Sequence, residues 1–158
     1  MKRTQKEAIV VAAGFGAIAG LRSMAAPQLL SRRLSHRRRR RGRLGRVLAS
    51  PAAARTLRIA ALGEIVADKL PFAPARTDPL PLLGRAATGA LCGLAVAGEL
   101  GTAPLAPAIA GAGAALAAAF AAYHLRRGVD RALPDALVGL AEDGLVRTVG
   151  SRFADAAV

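Results

Sequence analysis

At 158 residues the chain accommodates one helical domain but not a membrane domain plus a separate soluble enzyme, and its formal net charge is +13, from 23 Lys+Arg against 10 Asp+Glu. Cys92 is the only cysteine, which excludes an intramolecular disulfide and a cysteine-based metal cluster and reads as a small packed side chain. A basic chain often binds nucleic acid, but nine of the arginines lie between Arg32 and Arg46 and none of Phe15, Phe72, Phe120, Phe153 and Tyr123 interleaves with them, so the stacking platforms of single-strand binders are missing.

The first predicted element follows Lys2, Arg3 and Lys6. Residues from Ala8 to Leu21 are all apolar or glycine, and after Arg22 and Ser23 the apolar character resumes until Leu30, giving roughly one span with an arginine inside it. A secretory signal is the competing reading; the glycines at 14, 16 and 20 and the later apolar segments favour a retained helix, ended or kinked at Pro27. Ser31 to Arg46 reads as a basic loop, and Arg37, Arg38, Arg39, Arg40 and Arg41 within it are expected to lie against anionic headgroups at the cytoplasmic face, with a solvated loop as the plainer alternative. Pro51 opens a second helix running to about Leu70. Its uninterrupted apolar core, Ile59 to Gly63, is too short to cross lipid unaided, so this helix is expected to be sheltered or partly amphipathic.

Residues 71–83, rich in proline, read as a semi-rigid connector. From Ala86 to Tyr123 Glu99 is the sole Asp, Glu, Lys or Arg, and the block is long enough for two spans, placed at about 84–100 and 105–125 with the turn at Gly101 and Pro104. Arg126, Arg127 and Arg131 follow as an interfacial cluster, and Asp135 to Thr148 reads as a last helix that crosses, re-enters or lies along the surface. The whole is expected to be an all-α transmembrane bundle of four to five helices forming a single domain, 1–158. Gly16-Ala17-Ile18-Ala19-Gly20-Leu21 recurs as Gly89-Ala90-Leu91-Cys92-Gly93-Leu94, which points to two duplicated halves; similarity by Ala/Gly composition alone is the alternative.

Orientation by the positive-inside rule is divided. Nine arginines on one flank of the first helix outweigh Lys2, Arg3 and Lys6 on the other, which places the N-terminus outside if that helix spans; a re-entrant first helix lets both flanks stay inside.

Two patterns taken together, Gly16-x-x-x-Gly20-Leu21-Arg22-Ser23-x-x-x-Pro27 and Gly63-Glu64-x-x-x-Asp68-Lys69-Leu70-Pro71 followed by Pro74-x-Arg76-Thr77, resemble the bacterial integral-membrane family catalogued as domain of unknown function 4126. The similarity covers about residues 8–150, and the long run Arg37 to Arg41 departs from the family pattern. The resemblance implies a multi-pass protein of the bacterial inner membrane and no particular biochemical activity.

The candidate site is the ionisable set Arg22, Glu64, Asp68, Lys69 and Glu99, set among Ala, Gly, Leu, Ile and Val. Charge is costly in such surroundings, so these groups are expected to face partners or a wet cavity. Arg22 is expected to hold Glu64 or Asp68 bidentately, to contact a substrate anion, or to snorkel. Glu64 and Asp68, four apart on one face, either carry a proton or cation or form a fixed network with Arg22, Arg58 and Lys69. Glu99 has no basic residue within four positions and is read evenly as functional or interfacial. Gly16, Gly20, Gly89 and Gly93 are candidate helix-packing positions, within the chain or across a homodimer. The leading expectation is a transporter or channel for a small ion or charged solute, against a structural or lipid-interacting membrane protein. A membrane enzyme acting on a phosphate-bearing lipid is a minor alternative. His36 and His124 show no metal-ligand spacing, and neither a metal nor a cofactor is expected.

Overall fold

The computed structural model describes residues 3–36, 42–67 and 78–129. It is an all-α bundle of six helices among those residues: α1 (Arg3–Leu21), α2 (Ala25–Ser35), α3 (Arg43–Leu48), α4 (Pro51–Ala67), α5 (Pro79–Leu100) and α6 (Leu105–Val129). The connector at 68–77, the arginines at 37–41 and the segment from 130 onward, including the helix expected at 135–148, lie outside the described residues.

Small residues set the packing of α1, α5 and α6. A side-chain carbon built on Gly16 or on Gly89 would run into the backbone of Gly111, one on Gly20 into Ala115 and Ala118, and one on Gly93 into Pro107. The helices therefore touch backbone to backbone, as only glycine permits. These contacts also fix directions. Positions 16 and 20 meet 111 and 115 in rising order, so α1 runs parallel to α6, whereas 89 and 93 meet 111 and 107, so α5 runs antiparallel to both. The two copies of the glycine pattern thus face a common glycine from opposite senses. Helix α1 is interior, with no exposed position from 11 to 20, and Phe15, Ile18 and Ala19 sit in the core with Cys92 and Val96.

The α5–α6 hairpin closes where expected. Gly101, at φ 65°, takes the left-handed conformation, and the Thr102 N–H donates to the Ala97 carbonyl at 3.0 Å, which terminates α5 in a Schellman turn. Both helices are long and apolar enough to cross a bilayer, and among the described residues they are the two that are.

Several expected boundaries move. The first helix is not one rod to Leu30 but breaks at Arg22, Ser23 and Met24. Pro27 causes the break without kinking a helix: its ring leaves no N–H for the Ser23 carbonyl, so the helix restarts with Pro27 in its first turn, where that N–H is not needed. The loop expected over 31–46 is helical in most of its described residues. Ser31 to Ser35 completes α2, and Leu44 and Leu48 form the inner side of α3. Pro79 and Pro81 belong to the first turn of α5 instead of the connector, for the same reason that Pro27 fits α2.

Candidate functional site at the helix break

Two charged side chains from other helices meet the break between α1 and α2. Glu64, late on α4, accepts hydrogen bonds at Oε1 from the Ser23 N–H at 2.8 Å and the Ser23 hydroxyl at 2.6 Å, and at Oε2 from the Met24 N–H at 2.9 Å. Met24 is the N-cap of α2 and offers no side-chain cap of its own, so a residue 40 positions away supplies the cap. On the other side, Arg85 of α5 donates from Nη1 to the Gly20 carbonyl in the last turn of α1 at 2.6 Å, while its side chain is only 5% exposed. A carboxylate therefore meets the positive end of one helix and a guanidinium the negative end of the other. Arg22 lies between these two contacts, with Nε and Nη1 shielded from solvent.

The remaining residues expected at the site are distributed differently. Glu99 is buried near the far end of α5, where Oε1 accepts from the Gly42 N–H at 3.3 Å and the carboxylate fills the space a side chain at Gly45 would need. Fourteen positions of α5 separate it from Arg85, about 21 Å at 1.5 Å per residue, so Glu99 is not part of the helix-break site. Asp68 and Lys69, like Arg37, Arg38, Arg39, Arg40 and Arg41, lie outside the described residues. Gly16, Gly20, Gly89 and Gly93 all pack within the chain against α6.

Arg85 stands one residue before the apolar block that opens at Ala86, outside the charged set expected at the site. Its signal was available: Arg85 stands four residues before Gly89, on the face that the glycine pattern turns inward. Ser23 escaped as a hydrogen-bond donor because Glu64, its acceptor, is 41 residues away.

In α5 the usual relation of charge to solvent is reversed. Arg85 and Glu99, the two charged residues between Pro79 and Leu100, are 5% and 6% exposed. The positions that face outward are Leu80, Leu83, Gly84, Ala87, Leu91 and Leu94. The outer face of α6 is equally apolar through Leu105, Ile109, Gly113, Ala117 and Phe120. No family model, curated protein or solved structure matches the chain.

Proposed function

We propose that the chain is an integral membrane protein, and that its helix break, lined by Arg22, Ser23, Glu64 and Arg85, is where a small ion or charged solute is moved across the bilayer. The observation that carries the membrane reading is the reversal in α5: a helix that buries its arginine and glutamate and presents leucines outward matches a hydrocarbon surround. What supports the transport reading is the interruption of a core helix with its two ends turned toward charged side chains, the arrangement by which discontinuous helices bind ions inside membranes. Asp68 and Lys69 stay in this proposal as neighbours of Glu64 in sequence, whereas Glu99 belongs to the opposite end of the bundle.

A second reading has its own observation. Glu64 and Glu99 both accept from backbone N–H groups, which is the behaviour of fixed architectural contacts in a structural or lipid-interacting membrane protein. Flux of small ions and anions into proteoliposomes, measured for the intact protein, Glu64→Gln and Glu99→Gln, separates the two. Transport at the break predicts flux that falls in Glu64→Gln and persists in Glu99→Gln. Absence of flux across a broad screen, with both variants losing only thermal stability, leaves the architectural reading.

The likeness to the domain of unknown function 4126 family, and with it a bacterial inner-membrane location, belongs to the same proposal and rests on the residues from Gly16 to Pro27 and from Gly63 to Thr77. So does contact of Arg37 to Arg41 with anionic lipid. A homodimer, if formed, uses the outer faces of α5 and α6, since the glycine faces are occupied within the chain.

A further inference from the structure

The structure brings together two basic segments that the sequence places on opposite flanks of the first helix. Gln5, near the start of α1, donates from Nε2 to the Ala103 carbonyl in the α5–α6 turn at 3.2 Å, so α1 begins at the turn end of the bundle. Helix α3 packs at the same end, with Gly42 against Gly98 and Gly45 against Glu99. The chain gets there because α1 stops at the break and α2 returns. At its far end, Ser31 donates to the Leu48 carbonyl at 2.6 Å and Ser35 to the Ala49 carbonyl at 3.5 Å, which ties α2 to the close of α3.

One end of the bundle consequently carries Lys6, Arg43 and Arg46, with Arg32 following Ser31 where α2 is tied to the close of α3, and all four are exposed. Among the described residues the carboxylates there are Glu7 at the surface and Glu99, which is buried. Val47, 62% exposed, projects beside Arg46 on the outer side of α3, the pairing of cation and apolar side chain found on helices that lie in a lipid interface.

We propose that this end is the cytoplasmic face of the protein and that it binds anionic phospholipid headgroups through Lys6, Arg32, Arg43 and Arg46, with Val47 entering the interface. The inference rests on the membrane reading above and is independent of transport. It replaces the expectation of an external N-terminus: both basic flanks of the first helix lie on one side because the break turns the chain back, and the positive-inside rule then acts on them jointly.

The first test is topological. Single cysteines at Thr4, Val47, Ala103 and Asp78, in a Cys92→Ala background, are labelled with a membrane-impermeant maleimide in sealed right-side-out and inverted vesicles. The expected result is labelling of Thr4→Cys, Val47→Cys and Ala103→Cys from the cytoplasmic side and of Asp78→Cys from the other. Labelling of Thr4→Cys and Val47→Cys from opposite sides overturns the shared face while leaving the membrane reading intact. Recovery of the protein in the soluble fraction overturns the membrane reading and this inference with it.

The second test concerns the lipid. In mild detergent, added phosphatidylglycerol is expected to raise the melting temperature of the intact protein, whereas phosphatidylcholine and inorganic phosphate leave it unchanged. The combined variant Lys6→Gln, Arg32→Gln, Arg43→Gln and Arg46→Gln is expected to lose this response, and a variant with the three arginines changed to lysine to keep it. An equal response to inorganic phosphate, or an unchanged response in the glutamine variant, overturns headgroup binding.

Discussion

The trio α1, α5 and α6 and the layer formed by α2, α3 and α4 hold together by different means. In the trio the closest contacts are between backbones, with Gly16 and Gly89 both against Gly111, and the core positions are mainly alanines. In the layer, α4 leaves Ile59, Leu62 and Val66 at 64%, 58% and 62% exposure along one face, and the carboxylate of Glu64 ties it to the break. Helices held backbone to backbone tolerate no added atoms at the contact glycines, whereas α4, with Leu57 against the core and Glu64 at the break, tolerates change along its exposed face. The contrast also separates the roles of polar groups. Arg85 serves the end of a tightly held helix, and Glu64 fastens a looser one to it.

The largest expected effect tests the trio. Gly111→Leu places a side chain against the backbones of Gly89 and Ala12, and overpacking of a close contact costs about 1–3 kcal/mol or more. Loss of a cooperative far-UV circular dichroism melt in detergent is expected, and retention of the normal melt would break the claim that α6 is held by shape. Arg85→Met comes next, because it strips the Gly20 carbonyl of a buried charged donor; loss of such a bond costs roughly 1.5–3 kcal/mol, read as a lower melting temperature.

Glu64→Gln keeps the shape of the anchor but exchanges the charged acceptor for a neutral amide, at about 1–2 kcal/mol. Hydrogen exchange should then rise in α2 and α4 and stay low in α1, α5 and α6. Equal acceleration in all five would show that trio and layer open as one unit. The smallest effect has the opposite sign. Gly63 and Gly113 have nothing within 4 Å of an added methyl group, so alanine at either is expected to stabilise its helix by up to about 1 kcal/mol, whereas alanine at Gly16 destabilises the trio.

How far the sequence revealed this arrangement depends on how local each cause is. The end of α5 at Leu100 and the start of α6 at Leu105 follow from Gly101 and Pro104 in a charge-poor run, and the structure agrees at both. The break at 22–24 falls before the position expected from Pro27, because proline removes the bond to the residue four before it. Helix α3 lay hidden in an arginine-rich stretch although Leu44, Val47 and Leu48 carry helical spacing; net charge drew attention away from the pattern. The site was legible in two of its members, Arg22 and Glu64, and not in Arg85 or in its grouping. Glu64 and Arg22 stand out as charges in apolar segments, but that Glu64 reaches Ser23 and Met24, and that Glu99 belongs elsewhere, depends on contacts between residues 40 or more apart.

The interior position of α1 has a consequence for biogenesis. Gln5 bonds to a residue 98 positions later, and Gly16 fits against Gly111 of α6, so α1 leaves the ribosome well before the partners it packs on. With Lys6 and Glu7 in its opening turns and an arginine just past its end, α1 is poorly suited to partition into lipid alone, whereas α5 and α6 form a hairpin apolar enough to enter as a pair. On the membrane reading proposed above, the nascent chain keeps α1 at the interface or with the insertion machinery until residue 125 has emerged, and a ribosome stalled before that point should leave α1 accessible to protease.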